Sequence, residues 1–189
     1  MKKLLLALIV CLLCASNASA IIYCNGTGID MHYSVIRTGV SWSATATGTI
    51  SNCTISEGGL WVDNDATVTN CIILSTGSVV TYGSDVFIAA GKTVTGTYNL
   101  LGDAAKGGAG TYSDGGSTSL WSSNPLFVST TDFRLTRTSP AINTGTNIGS
   151  TFDYAANPVP QGVGTDIGAY EYRSIPIFQH FYWRLRGTR

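Results

Sequence analysis

Thr49-Ile-Ser-Asn-Cys-Thr-Ile55 and Thr67-Val-Thr-Asn-Cys-Ile-Ile73 are near-copies, with their Asn-Cys pairs 18 residues apart. Read as strand, corner, strand, the first copy turns Ile50 inward and sets Asn52 at the corner. Cys53 and Ile55 then point inward again, because side chains alternate along a strand. Val68, Asn70, Cys71 and Ile73 repeat that arrangement one coil later. A short repeat that keeps its inward residues in phase predicts a solenoid, in which each coil buries its apolar side against its neighbours. The expected fold is all-β: a right-handed parallel β-helix of few coils.

Working outward, Met31-His-Tyr-Ser-Val-Ile36 slides onto Ile50–Ile55 with a step of 19, which places a first coil within 21–39 and Tyr33 at its corner. The same step lays Trp42 on Trp61, so the two indoles are expected to stack. Val40-Ser-Trp-Ser-Ala44 alternates strictly and turns Trp42 to the apolar side. Ser78–Tyr82, Asp85–Ile88 and Thr93–Asn99 read as later strands, with Ala89–Lys92 as a turn and Asn99 as another corner. Corner asparagines close their own turns, and stacked copies can bond one another. Residues 102–119, rich in Gly, Ser and Asp, read as a flexible surface loop. Its Gly107-Gly-Ala-Gly110 does not make a calcium-binding nonapeptide, since Asp114 comes too late in the spacing.

The chain begins Met1-Lys2-Lys3, runs apolar from Leu4 to Leu13 and reaches Ala18-Ser19-Ala20. A basic start, a short apolar core and a small-x-small exit predict a secretory signal peptide over 1–20. The stretch is too short for a spanning helix. Cys14 would mark a lipoprotein, but Leu13 stands where a small residue belongs. Cleavage after Ala20 leaves nine basic residues against eleven acidic ones, a balance that gives no reason to expect nucleic acid. It also leaves Cys24, Cys53 and Cys71. A strand spacing of about 4.8 Å would bring Cys53 near Cys71, yet stacked parallel side chains rarely offer the dihedral of a disulfide. A buried thiol ladder is expected instead.

From Tyr98 the chain resembles a particular group. Tyr98-Asn-Leu-Leu-Gly-Asp103, Asn124-Pro-Leu-Phe-Val128, Asp132-Phe-Arg-Leu135, Ser139-Pro-Ala-Ile-Asn-Thr-Gly145, Asn157-Pro-Val-Pro-Gln161 and Asp166-Ile-Gly-Ala-Tyr-Glu171 follow in order. This series looks like the C-terminal end of parallel β-helix proteins called choice-of-anchor Q domain proteins, and the Asn-Cys repeats are similar to their coils. The resemblance implies a closing segment over 124–172. Phe127, Phe133, Leu135, Ile142 and Ile167 are expected to plug the lumen there. Pro125, Pro140, Pro158 and Pro160 stop regular strand, and Trp121 is expected as a lid. Members of that group often carry long coil arrays and a C-terminal anchoring signal. This chain has few coils and ends in a tail over 173–189 with Phe178, Phe181, Tyr182 and Trp183 among Arg184, Arg186 and Arg189.

Parallel β-helices include polysaccharide lyases and hydrolases, but fold does not decide function. A lyase needs clustered carboxylates and a basic residue, whereas 21–99 holds only Arg37 and Lys92 as bases. A hydrolase needs paired acids, and Asp63-Asn-Asp65 is the only local pair. It reads as a turn, with a metal site and catalysis as the alternatives. His32 and His180 have no nucleophile placed beside them by any motif. No catalytic residue, metal or cofactor is assigned. Trp42, Trp61, Asp63 and Asp65 are the candidate carbohydrate contacts: the indoles would stack on sugar rings if they faced out, and would pack in the core if they faced in. The expected function is an exported, non-catalytic module in structure, adhesion or glycan contact, with a polysaccharide or a surface protein as partner. The alternative is a polysaccharide lyase or glycoside hydrolase of this fold, or a degenerate remnant of one.

Overall fold

The computed structural model describes residues 21–75, 84–103 and 106–173. The signal-peptide, Ser78–Tyr82 and tail assignments therefore fall largely or wholly outside the described residues, and so does His180. Within them there is no helix, and thirteen short strands wind into a parallel β-solenoid of about 4 turns. The first turn holds β1 (Ile22–Cys24), β2 (Ile29–His32) and β3 (Val35–Ile36). The second holds β4 (Val40–Trp42), β5 (Gly48–Ser51) and β6 (Thr54–Ile55). The third holds β7 (Leu60–Val62), β8 (Ala66–Thr69) and β9 (Ile72–Ile73). The fourth holds β10 (Val86–Ile88), β11 (Thr93–Thr97) and β12 (Leu100–Leu101), and β13 (Thr111–Asp114) begins a fifth.

Stacking these turns makes three parallel sheets. Sheet A runs β1-β4-β7-β10, sheet B β2-β5-β8-β11-β13 and sheet C β3-β6-β9-β12. Their inward rows fill the lumen. Cys24, Trp42, Val62 and Ile88 form one row of sheet A, and Ile36, Ile55, Ile73 and Leu101 form one of sheet C. All of these are buried in one cluster with Ile50 and Val68, which pair across β5 and β8. Burying each large apolar side chain stabilises by roughly 1.5–3 kcal/mol. Tyr112 on β13 and Trp121 pack edge to face, centroids 4.9 Å apart, against the late end of this core.

The corner from sheet B to sheet C is always two residues long. Its first residue sits at positive φ in every full turn: Tyr33, Asn52, Asn70 and Tyr98. Asn adopts this conformation more readily than most residues because its short amide bonds the backbone locally. Asn99 does belong to the fourth corner, but Tyr98 and not Asn99 takes its left-handed position. Asn99 stands where Cys71 stands one turn earlier, and it is fully buried. There its amide donates to the Val68 carbonyl at 2.8 Å and the Tyr112 hydroxyl at 2.9 Å, and accepts from the Cys71 N–H at 2.8 Å.

Three other expectations are corrected. Trp42 does not stack on Trp61: Trp42 pairs with Val62, and Trp61 pairs with Ser41. The step in sheet A is 20 at this point, because the other two corners of each turn vary in length. Residues 102–119 are not a loop throughout. Gly107 bridges Phe87, β13 pairs with β11 and Leu120 bridges Leu100, so the stretch starts the fifth turn. Its glycines mark close approach, since a Cβ on Gly107 would lie 2.2 Å from the Ser84 hydroxyl. Finally, the segment over 124–172 does not plug the lumen. It lies on the outside of sheet C, where Leu135, Ala141 and Ile167 bury Ile72 and Leu100, with Phe127 and Ile142 at the edge. Phe133 packs on Phe127 and under the Arg37 guanidinium. The physical cause is the outward row Thr54, Ile72, Leu100, Leu120, which is too apolar to leave wet.

Candidate functional site

The three outer faces have different chemistries. Sheet C's is covered by the flanking segment. The corner asparagines hold that segment in place: Asn70 donates to the Thr146 carbonyl at 2.7 Å, accepts from the Thr146 N–H at 2.8 Å, and donates to Asn52 Oδ1 at 3.0 Å. Asn52 in turn donates to the Ser150 hydroxyl at 3.1 Å. The ladder of Ile50, Asn52, Cys53 and Ile55 over Val68, Asn70, Cys71 and Ile73 is entirely buried. Its cysteines are free thiols that donate to backbone carbonyls, and burial pushes the Cys71 thiol up.

Sheet A turns the row Tyr23, Ser41, Trp61, Phe87 outward. Trp61 and Phe87 stack with centroids 4.3 Å and planes 25° apart, and the Trp61 indole N–H donates to Asp63 at 2.6 Å. Each ring gives a face to the other. A ring face so used is not offered to a sugar. Trp42 is fully buried and is no platform; its indole N–H finds no acceptor among the described residues. Asp63 and Asp65 lie in the turn between β7 and β8 and look to different neighbours, Asp65 accepting from the Thr93 N–H at 2.8 Å. The four candidate contacts are therefore divided among the lumen, sheet A and the margin of sheet B.

Sheet B carries what the sequence reasoning missed. Its outward positions form rows across the strands. Asp30, Thr49, Thr67, Thr95 and Ser113 make one row, all exposed. Thr93 and Thr111 lie in the row beside it, with the Asp65 carboxylate accepting the Thr93 N–H, and His32, the buried Ser51, Thr69 and Thr97 lie in the row on its other side. A groove of about 220 Å³ runs over this face between Gly48, Asp65, Ala66, Thr67, Thr93 and Thr95. The Thr67 and Thr95 hydroxyls make no hydrogen bond among the described residues, whereas Thr69 and Thr97 bond each other at 3.1 Å. At the β2 edge Asp30 accepts from Thr49 at 2.7 Å and pairs with His32, and the Thr49 bond leads in holding Asp30 below its ordinary range. The signal was present in the chain as Thr-x-Thr spacing at 47–51, 67–69 and 93–97. It registers as a site only once the strands are aligned.

Several other carboxylates are tied to backbone N–H groups. Asp85 and Asp103 each accept the other's backbone N–H, at 2.9 and 2.7 Å, and burial raises the Asp85 carboxyl. In the flanking segment Asp153, Asp166 and Glu171 each accept backbone N–H groups. Among the described residues no group of three His, Cys, Asp or Glu side chains stands close enough to hold a metal ion. No helix among them is long and apolar enough to cross a membrane. Compared with known proteins, the chain matches no family model, no curated protein and no solved structure.

Proposed function

We propose that this chain is an exported, non-catalytic contact module, acting in adhesion, in structure or on glycans, and similar to choice-of-anchor Q domain proteins. The basic, apolar and small-residue start supports export, and the ordered C-terminal motifs support the kinship. The observation that carries the contact role is the outer face of sheet B. It is broad, rich in hydroxyl groups and open at Thr49, Thr67 and Thr95, while the outer face of sheet C is covered. Serine and threonine hydroxyls both donate and accept, so such a face suits a partner that is itself dense in hydroxyl oxygens.

The test is co-sedimentation of the protein from 21 onward with insoluble polysaccharides and cell-wall preparations. Thr67→Lys/Thr95→Lys, placed on exposed positions, should release the protein from whatever it binds while leaving its melting unchanged. Retention of binding by this variant would refute sheet B as the contact face. Release of sugar products from an acidic polysaccharide would overturn the non-catalytic assignment in favour of a lyase or hydrolase.

A further inference from the structure

We infer that the hydroxyl array of sheet B recognises a crystalline lattice of water oxygens, that is, the surface of ice. The inference rests on sheet B being the contact face and goes further by naming what the face is matched to. The array is periodic in two directions. Across the strands the rows repeat at about 4.8 Å, and along each strand outward side chains recur every two residues, about 6.6 Å. The repeat across the strands is close to an oxygen spacing on the prism face of ordinary ice, and the repeat along them falls a little short of the perpendicular one. A single polymer chain would use only one of the two directions.

Register is what makes the array a lattice. Ile50 with Val68, Thr67 with Thr95, and Thr95 with Ser113 pair one to one, with no bulge between β5 and β13. Threonine is also suited to the task. Its β-branch restricts χ1, so the methyl and hydroxyl groups of successive rows are held in place before any ligand arrives. Rigid side chains lose little entropy on binding. The methyl groups order the water between them and the hydroxyl groups bond it. Within the three rows the ionisable groups are Asp30 and His32, paired with each other at the β2 edge, and Asp65, whose carboxylate is engaged by the Thr93 N–H. A neutral interior lets the surface water freeze onto the face without stripping hydration from an ion.

The experiment grows ice slowly on a cold probe from a solution of the protein and a non-binding control protein, then measures the fraction of each taken into the ice. Ice growth from the same solution is watched under a microscope for faceting. The expected result is several-fold enrichment of the protein in the ice, and faceted crystals. Thr67→Tyr and Thr95→Tyr should abolish both with melting unchanged, while Thr131→Tyr on the flanking segment should abolish neither. Exclusion of the wild-type protein from ice would overturn the inference, and so would uptake that survives both sheet B variants. Binding of an insoluble polysaccharide through Thr67 and Thr95 without ice uptake would sink the lattice and keep the contact face. Loss of both would sink both.

Discussion

Replacing Asn70 tests whether the repeat motif also fastens the flanking segment. Its side chain is fully buried and makes three hydrogen bonds, two with Thr146 and one with Asn52. Asn70→Gly removes all three without backbone strain, since glycine accepts the positive φ of 54°. It orphans the Asn52 side-chain oxygen Oδ1 in a dry site, at about 1–3 kcal/mol, and two Thr146 groups that partial exposure lets water reach, at about 1 kcal/mol each. The sum is about 3–5 kcal/mol. Asn70→Ala should cost about 1–2 kcal/mol more, because a Cβ is disfavoured in the left-handed region.

Against a typical total stability of about 5–15 kcal/mol, the glycine variant should lose roughly a third of the whole. For a domain of this size its melting temperature should fall by roughly 10 °C. Circular dichroism melts supply that number, and limited proteolysis shows where the loss falls: cleavage between 136 and 165 should accelerate first. A glycine variant that melts with the wild type and resists protease equally would refute the docking role. Ala and Gly variants of equal stability would refute the strain term alone.

Leu100→Ala opens the interface between sheet C and Ile167, and should cost about 2–5 kcal/mol in urea unfolding. Gly96→Ala puts a Cβ 2.1 Å from the Tyr112 hydroxyl, so the ring must leave its place beside Trp121; a shift in tryptophan emission and a loss of about 1–3 kcal/mol should follow. Burial leads in raising Asp166 from 3.8 to about 6. The neutral form is therefore the favoured one: its stabilisation is complete below the unfolded value of 3.8 and is lost as pH rises through about 6. Melts should show stability rising by about 1 kcal/mol from pH 7 to 5 from this group, with the rest gained only on further acidification, and Asp166→Asn should flatten the slope. Cys71, buried and raised, should resist iodoacetamide in the native protein and react only on unfolding, as read by mass spectrometry.

The corner from sheet B to sheet C was legible in the sequence because it is the one part of each turn that never changes length. Two residues serve at 33–34, 52–53, 70–71 and 98–99, and the first must accept a left-handed backbone. That requirement leaves Asn-Cys as a readable mark. The other corners run from three residues at 63–65 to five at 43–47, and nothing in their composition fixes the length. A step carried round such corners drifts, which is why Trp42 lands on Trp61 in the sequence and on Val62 in the fold. The flanking segment posed a different difficulty. Leu135 and Ile167 announce burial, but burial against the lumen and burial against Ile72 from outside look the same in one dimension. The hydroxyl face was hidden for the same reason, because its order lies across strands and not along them.

Strand propensity alone accounts for some of these threonines, since β-branched residues suit a pleated surface and a hydroxyl keeps it wettable. It does not account for their arrangement. An exposed sheet face that needs only solubility does well with charges of both signs interspersed. That is not what Thr49, Thr67, Thr95 and Ser113 provide, nor Thr69 and Thr97 beside them. Sheet C shows what the chain does with an outer face too apolar for water: it covers it, using the corner asparagines as anchors. Sheet A stacks two of its outward rings, Trp61 and Phe87, on each other. Among the described residues sheet B is neither covered nor charged across its middle, and its five strands keep register as those of sheets A and C do. Varying corners displace residues freely at the turns. Register is common to all three sheets, so what sets sheet B apart is the choice of hydroxyl-bearing residues at its outward positions, and the proposed contact spanning several strands rests on that choice.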